Sequence, residues 1–154
     1  MSCITVTMLE DILAYVKTIV PEVECQRSYI PEQSITKLAA MGKPLLSIIL
    51  DDRDGTRETR GDLILNTFIV DIVVQKKLNA KSNAEIDPCI EIVERLFNVF
   101  LAKVVFSTNG KKYFCSQPLH GDDAPFIVGM QLIENNCFFG MVSIEVKVNT
   151  NACN

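Results

Sequence analysis

The single histidine of the chain, His120, lies in the stretch Leu119-His120-Gly121-Asp122-Asp123, five residues after Cys115. A thiol, an imidazole and a carboxylate are the parts of a nucleophile, its base and an orienting group, and any such mechanism here must run through His120. The spacing argues against it. Cys115 falls in a strand-like apolar stretch, whereas His120 sits beside two aspartates of the kind that form turns. The further ligands that a histidine-containing zinc site needs are absent from the neighbourhood. Asp52-Arg53-Asp54-Gly55 matches part of a calcium loop, yet that register places Leu50 at the first ligand position and Gly61 where a bidentate carboxylate is required. No G-x-G-x-x-G and no G-x-x-x-x-G-K occurs, so no phosphate-cradling loop is present. The sequence therefore points to no catalytic residue, no cofactor and no metal site. A small enzyme or ligand-binding domain is the rival reading, and it predicts a pocket around His120, Asp122 and Asp123 whose function is sensitive to His120→Ala.

The charged residues offer a contact surface instead. Arg53, Arg57 and Arg60 interleave with Asp51, Asp52, Asp54, Glu58 and Asp62 in a turn between two β-rich runs, 45–50 and 63–75. Charges of both signs in one place suit a self-complementary contact, because opposite pairs set the register and mispaired neighbours repel. Within the second run Asp71 lies on a half-apolar face, where a carboxylate is either solvated or paired across an interface. The candidate interface is Arg53, Asp54, Arg57, Glu58, Arg60 and Asp71.

The elements that position these residues follow from periodicity. Thr7-Met8-Leu9-Glu10 has capping-box spacing and predicts a helix over 8–19. Leu9, Ile12, Leu13 and Val16 form its apolar stripe, Glu10 and Asp11 face away, and Pro21 ends it. A short strand is expected at 23–28, then a loop over 29–43 with a helical turn at 35–41. In the second β-rich run Ile64, Phe68, Val70, Ile72 and Val74 share one face, interrupted by Asn66. Asp87-Pro88 reads as an N-cap and first helical position, opening a helix over 88–101. Strands are expected at 104–107 and 112–117 around Asn109-Gly110, and at 125–134 and 138–148 around Asn135-Asn136. The expected fold is α+β: a mainly antiparallel sheet packed by two amphipathic helices, with a long extended hairpin at 45–77 and hairpin connections throughout. One domain over 1–148 and a polar tail at 149–154 complete it.

The chain has 154 residues, 48% of them apolar and 22% charged. Its mean hydropathy of +0.21 leaves apolar surface to spare, which a subunit interface could cover. A net charge of −4 disfavours general attraction to a polyphosphate. The six cysteines form no C-x-x-C pair, and the first apolar stretch holds acidic residues in place of a basic leader, so reduced thiols are expected. No apolar run approaches the ~18 residues of a membrane span.

This layout resembles that of small phage tail-terminator, or tail-completion, proteins of the neck. The likeness covers an amphipathic N-terminal helix, a strand pair with a polar excursion, a second amphipathic helix at 88–101 and closing strands that end in the alternating run 142–148. The resemblance implies a virion protein without catalytic residues, assembled in the host cytoplasm. It implies a ring of identical copies, a hexamer, that caps the tail tube and meets the head–tail connector. It also implies no membrane partner, and nucleic acid only as DNA passing through a lumen. A head-completion or connector adaptor at a neighbouring level of the neck is the alternative within the same class.

Overall fold

The computed structural model describes residues 4–80, 82–117, 126–127 and 135–151, with the backbone alone at 52–56, 60, 126–127 and 151. The architecture is broadly α+β: three helices and a curled sheet of mostly antiparallel strands. In chain order these are α1 (Ile4–Ile19), β1 (Glu24–Ser28), α2 (Ile35–Ala40), β2 (Leu45–Arg60), β3 (Leu63–Lys77), α3 (Asn83–Leu101), β4 (Val104–Thr108), β5 (Lys111–Ser116), β6 (Phe126–Ile127) and β7 (Cys137–Asn151). The strands lie in the order β1-β2-β3-β7-β5-β4, and β6 pairs with one end of β7.

α1 and α3 cover one face of the sheet. Met8, Ile12, Val16 and Val20 recur every four residues and are fully buried, which is the stripe a helix needs to seat on a flat apolar surface. Cys89, Ile92, Val93, Leu96 and Phe100 do the same for α3. Beneath them lie Leu46 and Ile48 of β2, Val70, Ile72 and Val74 of β3, and Val142, Ile144, Val146 and Val148 of β7, all in one core. At Gly140 the packing is so close that an added Cβ would stand 2.5 Å from Val93 Cγ2 and 3.1 Å from the Phe138 ring.

The opposite face is also sealed over much of its centre. Leu45, Ile49, Ile69 and Val73 are buried there, and Leu38 of α2 packs on β3 outside the main core. Gln75 fastens this second layer, donating from Nε2 to the Glu32 carbonyl (3.0 Å) and accepting from the Glu32 amide at Oε1 (2.9 Å). The spare apolar surface expected on β3 is therefore covered largely within one chain. Among the described residues, the large apolar side chains that stay exposed are Leu63, Leu101 and Val105 at strand and helix ends and the sheet edge, Tyr29, Ile30 and Ile35 in the crossover, and Val6 and Leu50 within α1 and β2.

Several boundaries differ from expectation for identifiable reasons. α1 is already helical at Ile4, a turn before the Thr7-to-Glu10 box, because the four-residue apolar spacing extends back through Met8 to Ile4. α3 begins at Asn83 with Ser82 as N-cap, so Pro88 falls inside the helix. The neglected signal is Ser82-x-x-Glu85, whose glutamate accepts the amides of Asn79 and Ala80 at 2.8 and 3.4 Å. The charge-dense stretch read as a turn is strand: β2 runs on to Arg60 and turns back at Gly61 (φ 62°). One irregularity interrupts it, where residues 52–55 face Phe68 alone, between the pairs Asp51↔Ile69 and Thr56↔Thr67. β1 pairs with β2 in parallel, against the expectation of antiparallel connections throughout, since residues 29–44 form a crossover carrying α2. β7 continues past 148 to Asn151, which is paired with Leu63. Asn109 (φ 50°) and Gly110 (φ 75°) make the tight turn between β4 and β5 with the left-handed pair that a two-residue hairpin demands.

Gly140→Ala is expected to destabilise the fold by about 1–3 kcal/mol, the usual cost of overpacking a filled core. Urea unfolding measures it, and the cost should shrink when Val93→Ala is added, because that change removes the clashing methyl.

Candidate assembly surface

β2, β3 and β7 form a three-stranded ribbon that outruns the core. β3 and β7 pair continuously from Lys77↔Cys137 to Leu63↔Asn151, and β2 joins at Thr56↔Thr67 through Arg60↔Leu63. Beyond Phe68 and Val148 no described residue of this ribbon belongs to the apolar core.

A polar clamp holds the projecting part. Asn66 is only 2% exposed although it interrupts an apolar row. Its Nδ2 donates to the Thr150 hydroxyl (3.0 Å) and the Val148 carbonyl (3.4 Å), and its Oδ1 accepts from Arg57 Nε (3.0 Å). One buried amide thus ties all three strands together where apolar packing runs out, and its own donors and acceptor are satisfied.

The sequence-derived interface residues divide accordingly. Arg57 and Glu58 lie on the distal part of β2, opposite Asn66 and Leu65, with both side chains exposed. Arg60 is opposite Leu63; its side chain, like those of Arg53 and Asp54 in the irregular stretch, lies outside the described residues. Asp71 stands apart. It is five positions from Asn66 along β3, about 17 Å at strand rise, on the opposite face from Arg57, and six positions, about 20 Å, from Leu65, the residue opposite Glu58. Its Oδ1 accepts from the Ser143 hydroxyl at 2.6 Å, directly across on β7. Asp71 is therefore engaged within its own chain and does not form one patch with Arg57 and Glu58.

A second buried polar contact escaped sequence reading. Asp11, expected to face solvent, is buried and accepts from the Tyr113 hydroxyl at 2.5 Å, joining α1 to β5. Position 11 follows Met8 by three and precedes Ile12, so it borders the buried stripe; that spacing was the available signal. Burial, reinforced by the Asp11 hydrogen bond, raises the Tyr113 pKa. Around it, Tyr15 stacks on Phe106 (4.4 Å between centroids) and Phe106 on Tyr113 (5.1 Å).

Cys115 lies in the same layer, fully buried, and burial pushes its thiol up to about 12. That is the opposite of an activated nucleophile, which needs a lowered pKa. Cys25, Cys89, Cys115 and Cys137 are free thiols. His120, Asp122 and Asp123 lie outside the described residues. Among the described residues no group of three or more histidine, cysteine or acidic side chains could hold a metal, and no helix is long and apolar enough to cross a membrane. A cleft of about 210 Å³ between α2 and the ends of β3 and β7 is lined by Ile35, Leu38, Gln75, Cys137 and Phe139. Its central polar group, Gln75, is already committed to Glu32. No protein-family model matches the chain, and no curated protein gives a significant match.

Asn66→Ala removes the shared clamp and is expected to cost about 1–3 kcal/mol in urea unfolding, with faster amide exchange confined to the distal ribbon. The thiol sets a pH dependence. Unfolded Cys115 loses its proton above the ordinary 9.0, while the folded protein holds it to about 12, so the native state binds more protons in that window. Stability is expected to be intact below pH 9 and to fall above it by about 1.4 kcal/mol per unit from this group. Cys115→Val should flatten the decline between pH 9 and pH 11.

Proposed function

We propose that this chain is a structural virion protein that assembles as a ring, terminates a phage tail tube and joins it to the head–neck connector. The observation that carries this reading is the polar-clamped ribbon of β2, β3 and β7. It continues past the core with Arg57, Glu58 and Leu63 exposed along it. Building and clamping three paired strands beyond the region that the helices stabilise costs chain entropy without enlarging the core. Contact with a neighbour offsets that cost.

In this reading the protein works by shape and cohesion, with no cofactor and no turnover. Closed cyclic symmetry buries one patch of each copy against a different patch of the next. Tail tube protein on one side and connector on the other are the further partners, and DNA passes through the lumen. The layout of helices and strands supports it, as do the exposed Leu63 at a strand end, Leu101 at a helix end and Val105 on the sheet edge.

Light scattering on purified protein, followed by imaging of complete particles, tests the proposal. A multiple of the 17.2 kDa chain mass is expected in solution or on the particle neck, and tails assembled without the protein should be of uncontrolled length. A strict monomer both free and in particles, or tails of normal length without it, would reject the ring.

A further inference from the structure

The sheet ends on two short strands, β1 on one side and β4 on the other, and among the described residues neither has a strand on its outer side. An open edge is a row of unpaired amides and carbonyls, ready to accept another strand. The two edges point the same way. β1 is parallel to β2, and four antiparallel steps, through β3, β7 and β5, lead from β2 to β4. An even number of reversals restores direction. Each strand is five residues long, so the edges match in length. In β4 the tight turn makes Thr108 and Lys111 a hydrogen-bonded pair, which leaves the amides of Val105 and Ser107 facing outward.

Their charges are complementary. Residues 102–117 contain Lys103, Lys111 and Lys112 and no acid. Lys103, just before β4, is exposed and has no ion pair among the described residues. β1 opens with Glu24, likewise exposed and without an ion pair among the described residues, while Arg27 at its other end is neutralised by Glu10 at 3.1 Å. Pairing β4 with a second β4 would gather lysines. Antiparallel pairing of β4 with β1 would set Lys103 beside Arg27. Parallel pairing alone sets Lys103 beside Glu24.

We propose that copies of this chain join head to tail, β4 of one adding in parallel to β1 of the next, with Lys103 beside the neighbour's Glu24. The outward amide of Val105, in the middle of β4, is one of the groups this junction would pair. The inference rests on the ring reading above and specifies its interface. Rotation about an axis along the strands preserves their direction, so a ring requires a parallel junction, whereas a two-fold dimer about a perpendicular axis requires an antiparallel one.

Lys103→Glu and Glu24→Lys, made singly and together in the full chain, test the register by light scattering against concentration, with circular dichroism following the fold. Each single reversal is expected to raise the half-assembly concentration about tenfold. The double variant should return to within about threefold of the unmodified protein, because the pair is restored with its signs exchanged. Val105→Pro deletes an outward amide, spares the bonds to β5 and is tolerated on an edge strand, so the variant should fold and fail to assemble. Rings that form undiminished in both single reversals and in Val105→Pro would overturn this junction while leaving the ring itself standing. A double reversal no better than the singles would overturn the Lys103 to Glu24 register. An unmodified protein that stays monomeric alone and in particles would remove the ring and the junction together.

Discussion

The continuous ladder between β3 and β7 is the constraint on which the rest of the molecule depends. It runs from Lys77↔Cys137 to Leu63↔Asn151 without a register shift. Because side chains alternate strictly along a strand, a one-residue slip of either strand would turn its own set, Val70 and Ile72 or Val142 and Ile144, away from the helices and bring its polar residue, Asp71 or Ser143, into the core. Two long strands locked in one register therefore decide which face α1 and α3 can cover. They also decide that β2 and β5 must pair on either side. Gly140, pressed against Val93, shows how closely α3 then settles on that surface.

Three buried polar side chains secure the joins that apolar packing leaves incomplete, and each has a distinct task. Asn66 binds the ribbon where the core ends. Asp11 receives the Tyr113 hydroxyl and ties the first helix to the far side of the sheet. Gln75 holds the backbone at Glu32 and so fastens the crossover to the second face. A buried amide or carboxylate without such partners would cost the full desolvation penalty. Their satisfied geometry makes them specifying contacts as much as stabilising ones. The raised pKa values of Tyr113 and Cys115 fit the same picture, since burial disfavours the charged form of groups that serve as packing.

With both faces of the central sheet largely covered, opportunities for association move to its periphery. The ribbon end carries exposed charge of both signs at Arg57 and Glu58, while among the described residues the sheet edges carry no further strand and are flanked by Lys103 and Glu24. In the ring proposed above, the tip is suited to contacts above or below it and the edges to the neighbour around it. Short edge strands bordered by charge resist indiscriminate pairing, so association through them is selective for a matching edge.

Periodicity in the chain was sufficient for the stripe of α3, the faces of β3 and β7 and the Asn109-Gly110 turn, because those patterns are local and their periods differ between helix and strand. In α1 it placed Leu9 and Leu13 in the stripe, where the structure buries Met8, Ile12 and Val16. Asn66 was visible as an interruption, and Ser82-x-x-Glu85 was present to be read. Other features depended on residues far apart in sequence. Arg57 and Glu58 became strand because β3 supplied a ladder to the charged stretch, and Asp71 was engaged because Ser143 lay across from it, 72 positions away. Asp11 was buried by a tyrosine 102 positions distant. The parallel placement of β1, which gives the sheet edges their common direction, likewise arose from the crossover over the sheet. Local composition determines which face of an element is apolar. Only the closing of long loops around the β3 and β7 ladder decides which polar groups meet, since a hydrogen-bond partner is chosen by position in space and leaves no period in the sequence.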